Sequence, residues 1–246
     1  MGADYPDWGG QYTNRAFYPL FDSAELAVRL GSRVAYDRRG NVIWTYDFSD
    51  GYTPFTSSGS PVGWTAALSS AKFEFPAFSY LITSDNTTDG WVQAYRNFAV
   101  PQCDKIGLAS MYLLGLSYME VRHQITFFNG SRNYLFDVRL TSAASPKVEV
   151  LQSTGLVDVW TQTHQPIGID YFQFIKLVVD LSTLKFERLT VGDVEIDLTD
   201  YSAVDSGATT DRYIRFLAWA VSNDGQAAPL YIDNVIFTAN EPANSW

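Results

Sequence analysis

The chain has 246 residues, 46% hydrophobic and 15% aromatic, with 17 Lys+Arg against 27 Asp+Glu and a net charge of −10. This composition supports a folded core and excludes a disordered tail. The acidic balance opposes a protein that grips phosphate backbones, so nucleic acid is not an expected partner.

A single cysteine, Cys103, rules out an intramolecular disulfide, and with His123 and His164 it makes no zinc set at a recognised spacing. The first residues, MGADYPDWGGQY, lack a basic start followed by an apolar run, and Pro6 breaks the myristoylation pattern. No eighteen apolar residues run together, so neither a cleaved signal nor a membrane span is expected. The sequons at Asn86 and Asn129 carry little meaning without a secretory route.

In chain order, residues 1–40 form an arm distinct from the rest. Arg15, Arg29, Arg33, Arg38 and Arg39 balance Asp4, Asp7, Asp22, Glu25 and Asp37, so residues 41–246 carry the whole net charge. Within the arm, Tyr5, Trp8, Tyr12, Phe17, Tyr18, Leu20 and Phe21 are too apolar for a solvated tail. They are expected to lie on a surface, that of a neighbouring subunit or of the chain itself. Asp22-Ser-Ala-Glu25 reads as a capping box opening one short helix through Leu30, stopped by Gly31.

From Asn41 the periodicity changes to two. It predicts strands at Val42–Phe48, Gly63–Leu68, Ala71–Phe75, Ser79–Thr83, Trp91–Phe98, Lys105–Leu114, Ser117–Phe128, Asn133–Leu140, Lys147–Gln152, Leu156–Thr161, Phe172–Asp180, Lys185–Val191, Val194–Leu198, Arg212–Val221 and Leu230–Thr238. Gly192-Asp193 signals a hairpin turn, and Asn129-Gly130 ends another strand. Ser57–Ser60 and Val204–Thr210 read as loops. The fold class is all-β: two packed antiparallel sheets in one domain over residues 41–246.

Two segments carry a resemblance. Asn41-Val-Ile-Trp-Thr-Tyr-Asp-Phe-Ser-Asp-Gly51 resembles the opening strand of jelly-roll modules in carbohydrate-binding proteins, and Leu230-Tyr-Ile-Asp-Asn-Val-Ile-Phe237 resembles their closing strand. Phe174 to Val191 is similar to the paired back strands of concanavalin A-like and laminin G-like sandwiches. The arm, through Phe17-Tyr-Pro-Leu-Phe-Asp22 and Glu25–Ser32, resembles arms of bacteriophage-encoded sandwich proteins.

The resemblance raises three candidate sites. Glu195-Ile-Asp197-Leu-Thr-Asp200 is similar to the carboxylate strand of concanavalin-like retaining glycosidases, with Asp200 in the place of the acid Glu and one methylene shorter. A retaining pair stands about 5–5.5 Å apart; the residues read more simply as a hairpin arm with Val194, Ile196 and Leu198 inward and Glu195 and Asp197 toward water. The jelly-roll likeness brings the first and last strands together, and with them Asp47, Asp50 and Asp233 as ligands for a structural calcium, the alternative being aspartates that cap turns. Third, 7 Trp, 15 Tyr and 16 Phe can stack on sugars, although Trp64, Trp91, Trp160 and Trp219 sit in strand contexts that favour burial. His123 and His164 form no triad, and no Gly-x-Ser-x-Gly elbow occurs.

The expected function is a non-catalytic structural component of a larger assembly, such as a phage virion decoration or accessory protein, joined to other virion proteins or copies of itself through the arm. A carbohydrate-binding, lectin-like module that takes a neutral glycan is the alternative, with an extracellular or cell-surface location. A concanavalin-like glycoside hydrolase is the third.

Overall fold

The computed structural model describes residues 39–74, 77–115, 119–142, 146–161 and 171–243. The arm residues Tyr5 to Phe21, the helix expected after Asp22, and His164 lie outside them. Every described element is a strand, and every pairing is antiparallel.

Sheet I runs β13 (Val194–Asp197), β12 (Lys185–Val191), β11 (Gln173–Asp180), β6 (Lys105–Leu114), β16 (Pro229–Ala239), β4 (Ser79–Thr83) and β3 (Thr65–Ser69). The first strand, β1 (Asn41–Tyr46), pairs with Val235–Ala239 of the last, end to end with β4, so the two terminal strands are neighbours as expected. Sheet II runs β10 (Gly155–Thr161), β9 (Lys147–Gln152), β8 (Arg132–Ser142), β7 (Met119–Asn129), β15 (Arg212–Ser222), β5 (Trp91–Phe98) and β2 (Thr56–Ser60), with β14 (Val204–Ala208) on the far half of β8.

One face of each sheet supplies the core. Ile106, Leu108, Tyr112 and Leu114 of β6 and Ile175, Leu177 and Val179 of β11 meet Val121 and Ile125 of β7 and Ile214, Phe216, Ala218 and Ala220 of β15 in one buried cluster. Alternate residues therefore point inward, as a period of two requires. Ring pairs join the sheets: Phe136 meets Phe186 at 5.3 Å and Phe98 meets Phe237 at 4.7 Å. The hairpins fall where their glycines allow, with Gly130 (φ 95°) between β7 and β8 and Gly192 (φ 61°) between β12 and β13.

Three expectations need correction. Residues 71–74 form no strand, while β2 and β14, read as loops, do pair. Both missed strands are short edges of Ser, Gly and Asp that hold on through backbone hydrogen bonds and need no apolar alternation. Trp91 and Trp219 are not core residues; their neighbours Val92, Ala218 and Ala220 face inward, and the two tryptophans face out.

Candidate functional site on the outer face of sheet II

The outward residues of sheet II align in rows across the strands. One row is continuous across the sheet: Ser58 opposite Gln93, Gln93 opposite Trp219, Trp219 opposite Arg122, Arg122 opposite Arg139, Arg139 opposite Glu149, and Glu149 opposite Asp158. Seven strands at about 4.8 Å spacing make this a stripe of roughly 29 Å. A flanking row holds Tyr95, Leu217, Gln124 and Asp137.

Aromatic surface sits at one end of the stripe. Trp91 and Trp219 pack at 4.7 Å between ring centroids, and Arg122 lies 5.3 Å over the Trp219 ring. Arg215 covers Tyr95 at 4.6 Å, donates from Nε to Asn97 Oδ1 and from Nη2 to the Tyr213 hydroxyl. Gln93 Nε2 donates to Ser58 Oγ at 2.6 Å. Stacked rings beside amide and hydroxyl groups can take both the apolar face and the hydroxyl edge of a sugar.

Charge at the centre is matched internally. Arg122 Nε bonds Glu120 Oε1 at 2.5 Å, Arg139 Nε bonds Asp137 Oδ2 at 3.2 Å, and Arg139 also lies 3.8 Å from Glu120. Lys147 bridges Glu149 at 2.6 Å and Asp158 at 3.3 Å. Burial pushes the Asp137 carboxyl above its ordinary range, against the pull of Arg139 and Arg122. Two polar atoms here, Asp137 Oδ1 and Trp219 Nε1, are buried with no hydrogen-bond partner among the described residues.

The residues singled out from sequence lie elsewhere. Glu195 is on the outer face of sheet I, where its carboxylate pairs with Arg39 and stands 3.9 Å from Arg188 Nε. It is therefore part of an ion network, a correction to the water-facing position expected. Asp197 accepts from Thr199 N at 3.0 Å and, like Asp200, is exposed. Asp47 accepts from Ser49 N, and Asp50 takes the Tyr46 hydroxyl at 2.5 Å and Tyr52 N at 3.0 Å. Asp233, fully buried, accepts from Glu74 N and Asn234 N. Among the described residues no group of three His, Cys, Asp or Glu is placed to hold a metal; each of the three aspartates accepts from a backbone amide. The stripe itself escaped the sequence reading, although Glu120, Arg122, Gln124 and Thr126 alternate with the inward Val121, His123 and Ile125 in β7 and mark a polar face.

Comparison with known proteins places the architecture. No family model and no curated protein matches the sequence. Solved structures do: an endo-β-1,4-glucuronan lyase from the fungus Trichoderma reesei superimposes with a TM-score of 0.57 at 9% identity, over 81% of this chain and 96% of the lyase. The carbohydrate recognition domain of Emp47p gives 0.51 at 8% identity over 82% and 98%. A carbohydrate esterase of the Shiga toxin-encoding bacteriophage phi24B gives 0.51 at 13% identity over 82% and 100%. The fold is a jelly-roll sandwich of two antiparallel sheets, an architecture that these structures share. A lyase, a carbohydrate recognition domain and an esterase on one architecture leave the chemistry to the individual site.

Proposed function

We propose that this chain is a carbohydrate-binding sandwich that takes a neutral saccharide chain along the outer face of sheet II. The observation that carries the reading is the continuous stripe from Ser58 to Asp158 with the Trp91–Trp219 pair at its aromatic end. Binding is favoured over turnover because two carboxylates of this face, Glu120 and Glu149, are engaged by Arg122 and Lys147. A carboxylate held by a cation is a poor proton donor, whereas retaining hydrolysis needs one carboxyl kept protonated beside a second.

Glycan-array screening of the full chain tests this, followed by titration of any hit with Trp219→Ala. Selective binding that weakens at least tenfold in the variant supports it. No binding to any saccharide, or binding indifferent to both Trp219→Ala and Trp91→Ala, overturns it. The assembly role, in a virion or elsewhere, is a second reading favoured by the aromatic content of residues 1–21; an oligomer mass from light scattering supports it, and the 27.6 kDa monomer opposes self-assembly.

A further inference from the structure

The β7–β8 hairpin turns through Asn129-Gly130-Ser131, which holds the only Asn-Gly pair in the chain. Asn129 is exposed, and its side-chain amide is gripped at one atom. Oδ1 accepts from Ser131 N at 2.9 Å, from the Ser131 hydroxyl at 2.9 Å and from Arg132 N at 2.8 Å. A neutral amide oxygen offers two lone pairs, so a third donor suits an oxygen that carries negative charge. The next peptide nitrogen is open to reaction. Among the described residues no hydrogen bond engages the Gly130 N–H, and a Cβ at Gly130 would meet nothing nearer than Arg212 Cδ at 4.0 Å.

We propose that Asn129 deamidates in the folded protein, and that this hairpin is a self-modification site that accepts the aspartyl product. Hydroxide takes the Gly130 N–H proton and the nitrogen attacks Asn129 Cγ, unobstructed because glycine has no Cβ. An N–Cγ bond forms and the carbonyl electron pair moves onto Oδ1, where Ser131 N, the Ser131 hydroxyl and Arg132 N donate to the developing oxyanion. Collapse breaks the Cγ–Nδ2 bond, and Nδ2 takes a proton from water and leaves as ammonia. The five-membered succinimide is then opened by water at Cγ. The water oxygen stays on Cγ as part of a carboxylate, one of its protons returns to the Gly130 nitrogen, and the other goes to solvent.

The hairpin favours opening at Cγ. A carboxylate at position 129 accepts the same three donors, whereas opening at the Asn129 carbonyl would insert a methylene into the backbone next to the closed Phe128–Asn133 pair. Charge acts in the same direction. Position 129 stands opposite Arg212, an exposed cation with no carboxylate partner among the described residues. This exposed cross-strand pair adds less than the three donors do.

Peptide mapping of the full chain after incubation at 37 °C and mildly alkaline pH tests the proposal, because the tryptic peptide His123–Arg132 holds Asn129 and no other asparagine. The expected result is the mass gain of an NH2-to-OH exchange in that peptide, with release of ammonia. Ser131→Ala removes one donor and should slow the reaction at least about threefold, a small part of the roughly 10²–10³ that one donor contributes in a water-excluded site. Asn129→Gln, whose longer side chain closes a less favourable six-membered ring, should suppress it. Asn129→Asp carries the product and should melt no lower than the parent chain; circular dichroism checks the fold of each variant. An unchanged peptide from the folded chain overturns the proposal, and if the urea-unfolded chain gains mass the three bonds protect the amide. Ser131→Ala reacting as fast as the parent also overturns it, as does a lower melting temperature for Asn129→Asp.

Discussion

The Tyr112 hydroxyl and His123 Nδ1 hydrogen-bond at 2.8 Å through the interior, tying β6 of sheet I to β7 of sheet II. His123 Nε2 stands 3.0 Å from the Leu108 carbonyl, which can only accept, so Nε2 carries the proton and Nδ1 accepts from Tyr112. The imidazole is neutral and both of its nitrogens are satisfied inside the core. Burial raises the Tyr112 pKa, and so keeps that hydroxyl a donor.

This bridge makes stability depend on pH. Burial pushes the His123 pKa down to about 4, against the opposing bond to Leu108. The unfolded chain takes up the proton near pH 6.5 and the folded chain only near 4, so the contribution is complete above 6.5 and is lost as pH falls toward 4. It amounts to on the order of 3 kcal/mol. Urea unfolding at pH 7 and pH 4.5 should show the drop, and His123→Phe should reduce it while costing about 1–3 kcal/mol at pH 7 through the unpaired Tyr112 hydroxyl. An identical pH dependence in the variant would contradict the assignment.

Glu241 holds the C-terminal segment to sheet I between two buried cations, Lys176 and Arg188. Glu241→Gln keeps the size and withdraws the one carboxylate that both buried cations share. The expected cost is about 3–5 kcal/mol, read as a lower urea midpoint. Less than about 1 kcal/mol would mean that water reaches the network.

Gly59, in the middle of β2, shows why that strand was hidden in the sequence. A Cβ there would stand 2.5 Å from the Trp64 ring and 2.6 Å from the Trp91 carbonyl, so only glycine lets the indole close over the strand. Gly59→Ala should therefore lower the melting temperature by several degrees, a loss of at least about 1 kcal/mol. An unchanged melting temperature would show that Trp64 moves aside freely.

The long strands were legible because inward Val, Ile and Phe alternate with other residues, as in β8, where Phe136, Val138 and Leu140 enter the core. What alternation cannot decide is which face is the core when both faces are apolar. In β15, Phe216 is 1% exposed and Leu217 is 5% exposed, though they point to opposite sides, so a strand context alone does not place Trp219. The candidate site was missed for a related reason: a row of side chains across seven strands is set by register, and register is fixed by pairings far apart in sequence.

The last prediction concerns charge on the proposed binding face. Arg122, Arg139, Lys147 and Arg215 stand among Glu120, Asp137, Glu149 and Asp158, and most are paired at short range within the face. A face so balanced, in a chain of net charge −10, presents no excess of cations to an anionic polymer. Rings and hydroxyl partners then carry recognition, and neither contact is screened by salt. For any glycan that binds, the dissociation constant at 50 mM and at 500 mM sodium chloride should agree within about twofold, since no net ion pair forms. A tenfold loss at high salt would assign the site to an acidic saccharide held by the arginines and would overturn the neutral-ligand reading.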